Sequence, residues 1–168
     1  AISPEVRAAE IGLERGRLYR ALVYDRPVAL GASGGYWELA RAGLFFAYAQ
    51  VRPGASADEA EALLAREIER LRNEPVTEAE LAKAKRTLEV GLIAGQGSSH
   101  ALASRIAEDW MLFGRVRPLE ERLAAIRAVD AADVQRVAKT WLEPSGRSVV
   151  QLLPPPEQGR RGGAGAAW

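Results

Sequence analysis

The chain has 168 residues, 48% hydrophobic and 27% charged, with 23 Lys and Arg against 22 Asp and Glu and a formal net charge of +1. This is the size and composition of one ordinary globular domain, without the basic excess that a nucleic-acid backbone attracts. The absence of cysteine and the single histidine, His100, exclude thiolate catalysis, disulfides and any multi-histidine metal site within one chain.

No run of 18 apolar residues occurs, so nothing in the sequence reads as a membrane-spanning helix. The N-terminus, AISPEVRAAE, has neither the basic start nor the apolar core of a signal peptide. It opens on a helix cap with no strand before it, and so reads as a cut through a longer protein. Ser3 is placed as N-cap, Pro4 at the first helical position and Glu5 near the positive helix end. The helix is predicted over 4–24, with Ile11, Leu18 and Leu22 near one face and Gly12 and Gly16 weakening its middle. Asp25-Arg26-Pro27 ends it, because the residue before proline is pushed out of helical geometry.

Residues 28–37 alternate as a strand, Val28, Leu30, Ala32, Gly34 and Tyr36 on one side and Ala29, Gly31, Ser33, Gly35 and Trp37 on the other. The small side chains let something approach the backbone, a packed helix or a bound chain. Residues 44–52, LFFAYAQVR, form the second strand of a hairpin. Ser56 to Glu59 and Thr77 to Glu80 have capping-box spacing. Each opens a long helix, one with Ala60, Leu64, Ile68 and Leu71 inside, the other with Leu81, Ala84, Leu88 and Leu92. The breaker Gly95-Gln96-Gly97-Ser98-Ser99 either kinks this helix or divides it from the next, which carries Leu102, Ile106 and Trp110 inward and closes at Gly114. A shorter helix from Pro118 buries Leu119, Leu123 and Ile126. Asp130 caps the last, with Val134, Val137, Ala138 and Trp141 inside. Residues 147–153 read as a third strand, and 154–168 as a disordered, glycine-rich tail. The domain is therefore 1–153, of class α+β: an antiparallel sheet with helices layered on one face.

The chemistry on offer is sparse. His100 has no Ser or Asp placed to join it, so it reads as a solvated residue at a helix start. The acids of ASADEAEALLAREIERLRNEP read as caps and as a solvated face with i,i+4 arginines. Gly31 to Gly35 lacks the lysine and the following helix of a phosphate loop. Tyr36, Trp37, Phe45, Phe46 and Tyr48 crowd two adjacent strands; half serve the core and half face a partner or a bound chain.

Several segments, in order, are similar to those of the insulinase (pitrilysin) family of zinc metallopeptidases, near its processing-peptidase-like bacterial branch. They are Gly16 to Leu22 with Ala29, then Phe45 to Ala49 with Arg52-Pro53-Gly54. Val76 to Lys85 resembles the family's G-V-T-x-x-E-L-x-x-A-K helix start. Ile126 to Leu142 resembles its closing I-x-x-V…D-V…A-x-x-Y-L pattern. The likeness runs from about Ser3 to Leu153, carried by order and spacing rather than by any one motif.

The resemblance implies the family's processing-peptidase/LuxS-like fold, here without its first strand or strands, so that one sheet edge is open. It implies two related halves around a chamber. One bears zinc on an H-x-x-E-H motif, where the Glu activates metal-bound water. The other is metal-free and helps hold an extended peptide. With one histidine and no H-x-x-E-H, this chain resembles the metal-free half: no catalytic or metal residue of its own, and inactive alone. The parent protein is then a zinc metallopeptidase, its zinc in the N-terminal half or in a partner subunit.

Where the family carries an Arg and a Tyr that complete the active site, in a pattern like L-R-x-x-x-x-L-A-Y, this chain has Val23 and Leu30. Either a second subunit supplies the pair, or the parent is a structural, assembly-type member without peptidase activity. Arg26, Tyr36 and Trp37 are the candidate peptide- or partner-facing residues of the hairpin. The expected partners are the zinc-bearing half, an unfolded or extended peptide and, through the open edge, a second copy of the chain. Neither nucleic acid nor a membrane span is expected. The Ala- and Arg-rich composition fits a G+C-rich bacterial source.

Overall fold

The computed structural model describes residues 16–39 and 43–153. Most of the helix predicted over 4–24, and all of the tail 154–168, lie outside the described residues. A short helix, α1 (Arg17–Tyr19), runs into a π-helical turn, Arg20–Asp25. Next come an antiparallel hairpin, β1 (Ala29–Glu38) and β2 (Gly43–Val51), and two long helices, α2 (Ala57–Asn73) and α3 (Glu78–Ala94). Helices α4 (Ser99–Phe113), α5 (Leu119–Ala128) and α6 (Ala131–Trp141) follow, then a 3₁₀ turn, Pro144–Gly146. Among the described residues, six α-helical segments and a two-stranded antiparallel sheet make the α+β class that the pattern predicts.

The core forms where α1, the π turn and α2 cover one face of the hairpin. Leu18, Ala21 and Leu22 meet Ala29 and Ala32 of β1 and Ala60, Leu63 and Leu71 of α2, with Val134 and Ala138 of α6 behind. Small residues on β1 let the helices lie close to its backbone, as their pattern suggests. Opposite them Phe45, Ala47, Ala49 and Val51 of β2 supply the larger apolar surface. α3 and α5 pair alongside, tied by Lys85 to the Arg127 carbonyl at 2.8 Å and by Arg127 to Glu89 at 2.8 Å.

Local chemistry sets the helix ends. Thr77 and Glu80 close a full capping box on α3, and Asp130 with Asp133 closes one on α6, each satisfying two otherwise orphaned N–H groups. Ser56 caps α2 by accepting from the Glu59 N–H at 3.2 Å, without the reciprocal bond. Gly114 ends α4 at φ 67°, where a side chain is strained. The breaker 95–98 separates α3 from α4 rather than kinking one helix.

Five expectations require correction. Residues 147–153 are extended but pair with no other described strand, so the described sheet has two strands and not three. Strand-forming side chains are insufficient without a neighbouring edge, and here Arg147 and Gln151 hold the segment along α2 instead. α2 turns Leu63 and Glu67 fully inward beside Ala60 and Leu71, leaving Leu64 and Ile68 half-buried. Glu67, read as part of a solvated face, is 2% exposed and bound by Arg70 at 2.9 Å. On α4, Leu102, Ile106 and Trp110 are exposed; the helix is rotated to bury Asp109, which binds Arg117. Trp141, at the C-terminal end of α6, is exposed as well.

Candidate functional site

Val23 and Leu30, the two positions that the sequence resemblance sets against the family's Arg and Tyr, both sit on irregular backbone. Val23 lies in the π turn, whose last bond runs from the Arg26 N–H to the Ala21 carbonyl five residues back, at 3.0 Å. π turns are rare and favour functional sites. Tyr19 and Tyr24, five apart, meet edge to face at 5.5 Å between ring centroids, the spacing at which such a turn returns to one side. Leu30 is the extra residue of a β-bulge: Ala29 pairs with Val51 and Gly31 with Gln50, leaving Leu30 unmatched.

The bulge corrects the strand reading, in which Leu30 shares a face with Ala32 and Gly34. An inserted residue resets the alternation. Ala29 joins Ala32 on the core side, and Leu30 swings out, 49% exposed. Arg52 clamps the irregularity, its Nε donating to the Ala29 carbonyl at 3.1 Å and its backbone N–H to the Val28 carbonyl at 2.8 Å. Val23 is half-buried against the core. Neither side chain can donate a hydrogen bond to a peptide carbonyl.

The π turn is anchored from its N-terminal side. Arg17 donates to both carboxylate oxygens of Glu80, at 2.8 and 3.0 Å, joining α1 to the α3 capping box. The Arg17 hydrogen bond holds the Glu80 pKa down at about 2, against the opposing effect of burial and with help from the Thr77 N–H and hydroxyl. Because the native value lies below the unfolded one, this contribution is complete above about pH 4.5 and is lost as pH falls toward 2. The Glu80 side chain is 37% exposed, so solvent screening trims the effect to about 1–2 kcal/mol. Acid unfolding of the wild type is therefore expected to steepen across that interval, and Glu80→Gln to flatten it. A Glu80→Gln acid profile superimposable on the wild type refutes this account.

The face of the hairpin turned away from the helices carries Trp37, Leu44, Phe46 and Tyr48. Cross-strand pairing brings them together: Trp37 lies opposite Leu44, Gly35 opposite Phe46 and Ser33 opposite Tyr48. The Trp37 and Phe46 rings are 5.1 Å apart, and the Phe46 ring covers Gly35, where a Cβ would lie 2.8 Å from Cζ. Trp37, Leu44 and Tyr48 are exposed. No charged residue belongs to this face, from Gly31 to Trp37 on one strand and Leu44 to Gln50 on the other. Of the three hairpin candidates only Trp37 lies here. Tyr36 pairs with Phe45 on the helix side, and its hydroxyl leaves no room for a Cβ at Gly43. Arg26 sits before β1, exposed, 3.9 Å from Glu59. Sequence reasoning missed the π turn, the bulge and the Arg52 clamp.

His100 is exposed in the first turn of α4. No group of three His, Cys, Asp or Glu able to hold a metal occurs among the described residues, nor any helix long and apolar enough to cross a membrane. Residues 11–88 match the peptidase M16 inactive domain, that of the insulinase and pitrilysin peptidases. That match, over slightly less than half of the chain, agrees with the sequence resemblance to the metal-free half of the insulinase family.

Solved structures agree. The inactive peptidase domain of a protein from Bordetella parapertussis assigned as a zinc protease is 26% identical, with TM-score 0.79, over 94% of this chain and 88% of that one. A protein from Bordetella pertussis Tohama I with the same assignment is 26% identical, with TM-score 0.78, over 92% and 87%. A protease from Helicobacter pylori shares the fold at TM-score 0.72 and 22% identity, 83% of this chain spanning 34% of that one. No curated protein matches the chain significantly.

Proposed function

We propose that residues 1–153 form the non-catalytic half of a zinc-dependent metalloendopeptidase and hold an extended peptide against the outer face of the hairpin. The observation that carries this reading is that uncharged, aromatic sheet face, open beside the π turn and the bulge on which Val23 and Leu30 stand. An extended chain fits a strand surface with small residues on one strand and aromatic ones on the next, because its alternate side chains match the strand repeat. Zinc and the H-x-x-E-H motif belong to the partner half, upstream in the same protein or on a second subunit. This chain contributes wall and binding surface, and its own residues move no proton.

The substitutions at Val23 and Leu30 favour a second reading, an assembly subunit derived from the same family with no peptidase in the parent. The upstream sequence separates the two: H-x-x-E-H there supports the first, its absence the second.

Both the fold and the uncharged face make the test direct. Titrating the full chain with a labelled, unstructured peptide rich in large apolar residues should give saturable binding and no cleavage, with or without zinc. Trp37→Ala and Tyr48→Ala, both at exposed sites, should weaken binding severalfold at unchanged stability. Undiminished affinity in both variants rules out the hairpin face, and zinc-dependent turnover by this chain alone rules out a metal-free half.

A further inference from the structure

Residues 147–153, Arg-Ser-Val-Val-Gln-Leu-Leu, form an extended segment with no backbone hydrogen bond to another described residue beyond the turn at Arg147. The segment is held in place nonetheless. Arg147 donates to Glu61 at 3.5 Å, and Gln151 donates to Asp58 at 3.3 Å and to Glu61 at 3.1 Å, pinning it along the first turns of α2. Its exposure alternates with strand period: Val149 is 46% exposed, Val150 83%, Leu152 94% and Leu153 69%. The side toward α2 is partly covered, while Val150 and Leu152 stand free on the other. A positioned row of unpaired N–H and C=O groups flanked by branched apolar side chains is a template for strand pairing.

The chain also carries the complementary element. The described sheet is the single pair β1 and β2, so each strand has one edge that no other described strand extends. The segment does not reach that edge within its own copy, because its side chains tie it to α2. A second copy offers both parts in reverse, one free segment and one free edge, which is the condition for a closed two-fold exchange. Specific interfaces begin at about 1,200 Å² of buried surface, and an exchange that buries two reciprocal seven-residue strands and their branched side chains is the arrangement of these parts that buries most.

We propose that residues 147–153 pair with the hairpin edge of a second copy of this chain, forming a strand-exchanged dimer. The inference is independent of peptide binding, which uses the sheet face and not its edge. Sedimentation of the full chain from micromolar to near-millimolar concentration should show conversion from 18.2 kDa to twice that mass. Hydrogen exchange at 148–153 should slow only in the dimer. Val150→Lys and Leu152→Lys place a charge on the pairing segment at positions outside the core, so each should restore the monomer with an unchanged circular dichroism spectrum. An excess of a synthetic peptide of residues 147–153 should do the same to the wild type. A wild type of 18.2 kDa at every concentration overturns the proposal. So does a dimer that survives both lysine variants, which would place the contact elsewhere.

Discussion

Replacing Asp109 with alanine is expected to cost about 3–5 kcal/mol, the range found when one partner of a buried ion pair is removed. Asp109 is 1% exposed and the sole fully buried residue of α4. It accepts from the Arg117 backbone N–H at 2.9 Å, from Nε at 3.2 Å and from Nη2 at 2.8 Å. Burial pushes its pKa up, but the Arg117 hydrogen bonds, with Arg122 nearby, outweigh this and hold it below the usual aspartate value. Arg117 lies over the Phe113 ring at 3.6 Å, so the loop between α4 and α5 is stapled from both sides.

Removing the carboxylate leaves the Arg117 and Arg122 charges without it in a poorly solvated place. α4 packs closely along no other described element, so the loss should appear first as faster hydrogen exchange in α4. A lower denaturation midpoint should accompany it. Arg117→Ala should be costly too, but the double variant less so than the sum, since the two residues act as one pair. Additive losses, or wild-type exchange in α4, would mean that Asp109 does not anchor the helix.

The parts of this fold legible in sequence are those decided within a few residues. The capping boxes at Thr77 and Asp130 and the helix stop at Gly114 need only local chemistry, and all three are in place. β2 itself was readable from its aromatic and β-branched residues, but not that Phe45 turns inward and Phe46 outward. β1 was not, because one inserted residue at Leu30 leaves the alternation of residue types intact while exchanging faces. The π turn at Val23 has no compositional mark. Nor does the sequence of α4 say which side will pack: Leu102, Ile106 and Trp110 make the better apolar stripe, and the pairing of Asp109 with a residue in the next loop decides otherwise. Residues 147–153 have every local feature of a strand and lack only what no local pattern contains, a neighbour. The candidate site divides likewise. Tyr36 and Trp37 were both candidates for an outward place, and only the covering of one face by the helices separates them, while the irregular backbone under Val23 and Leu30 has no mark in the sequence.

Leu22→Ala and Trp110→Ala should separate sharply. Leu22 is fully buried between the π turn, β1 and α2, so truncation removes its apolar contacts and leaves a cavity, at a cost of about 2–5 kcal/mol. Trp110 is 66% exposed, and its removal should change stability by no more than about 0.5 kcal/mol. The apolar stripe of α4 alone argues the reverse, since truncating a core tryptophan costs about 3–5 kcal/mol. Urea unfolding decides between them, provided that both variants keep the wild-type slope, so that the midpoints report stability and not a changed denatured state. Leu22 also adjoins Val23 in the π turn, so its loss should loosen the backbone beside the open hairpin face and weaken peptide binding along with stability. Trp110→Ala should leave both unchanged. Equal losses in the two variants would mean that α4 buries its apolar stripe after all, with the Asp109 staple a consequence of that packing and not its cause.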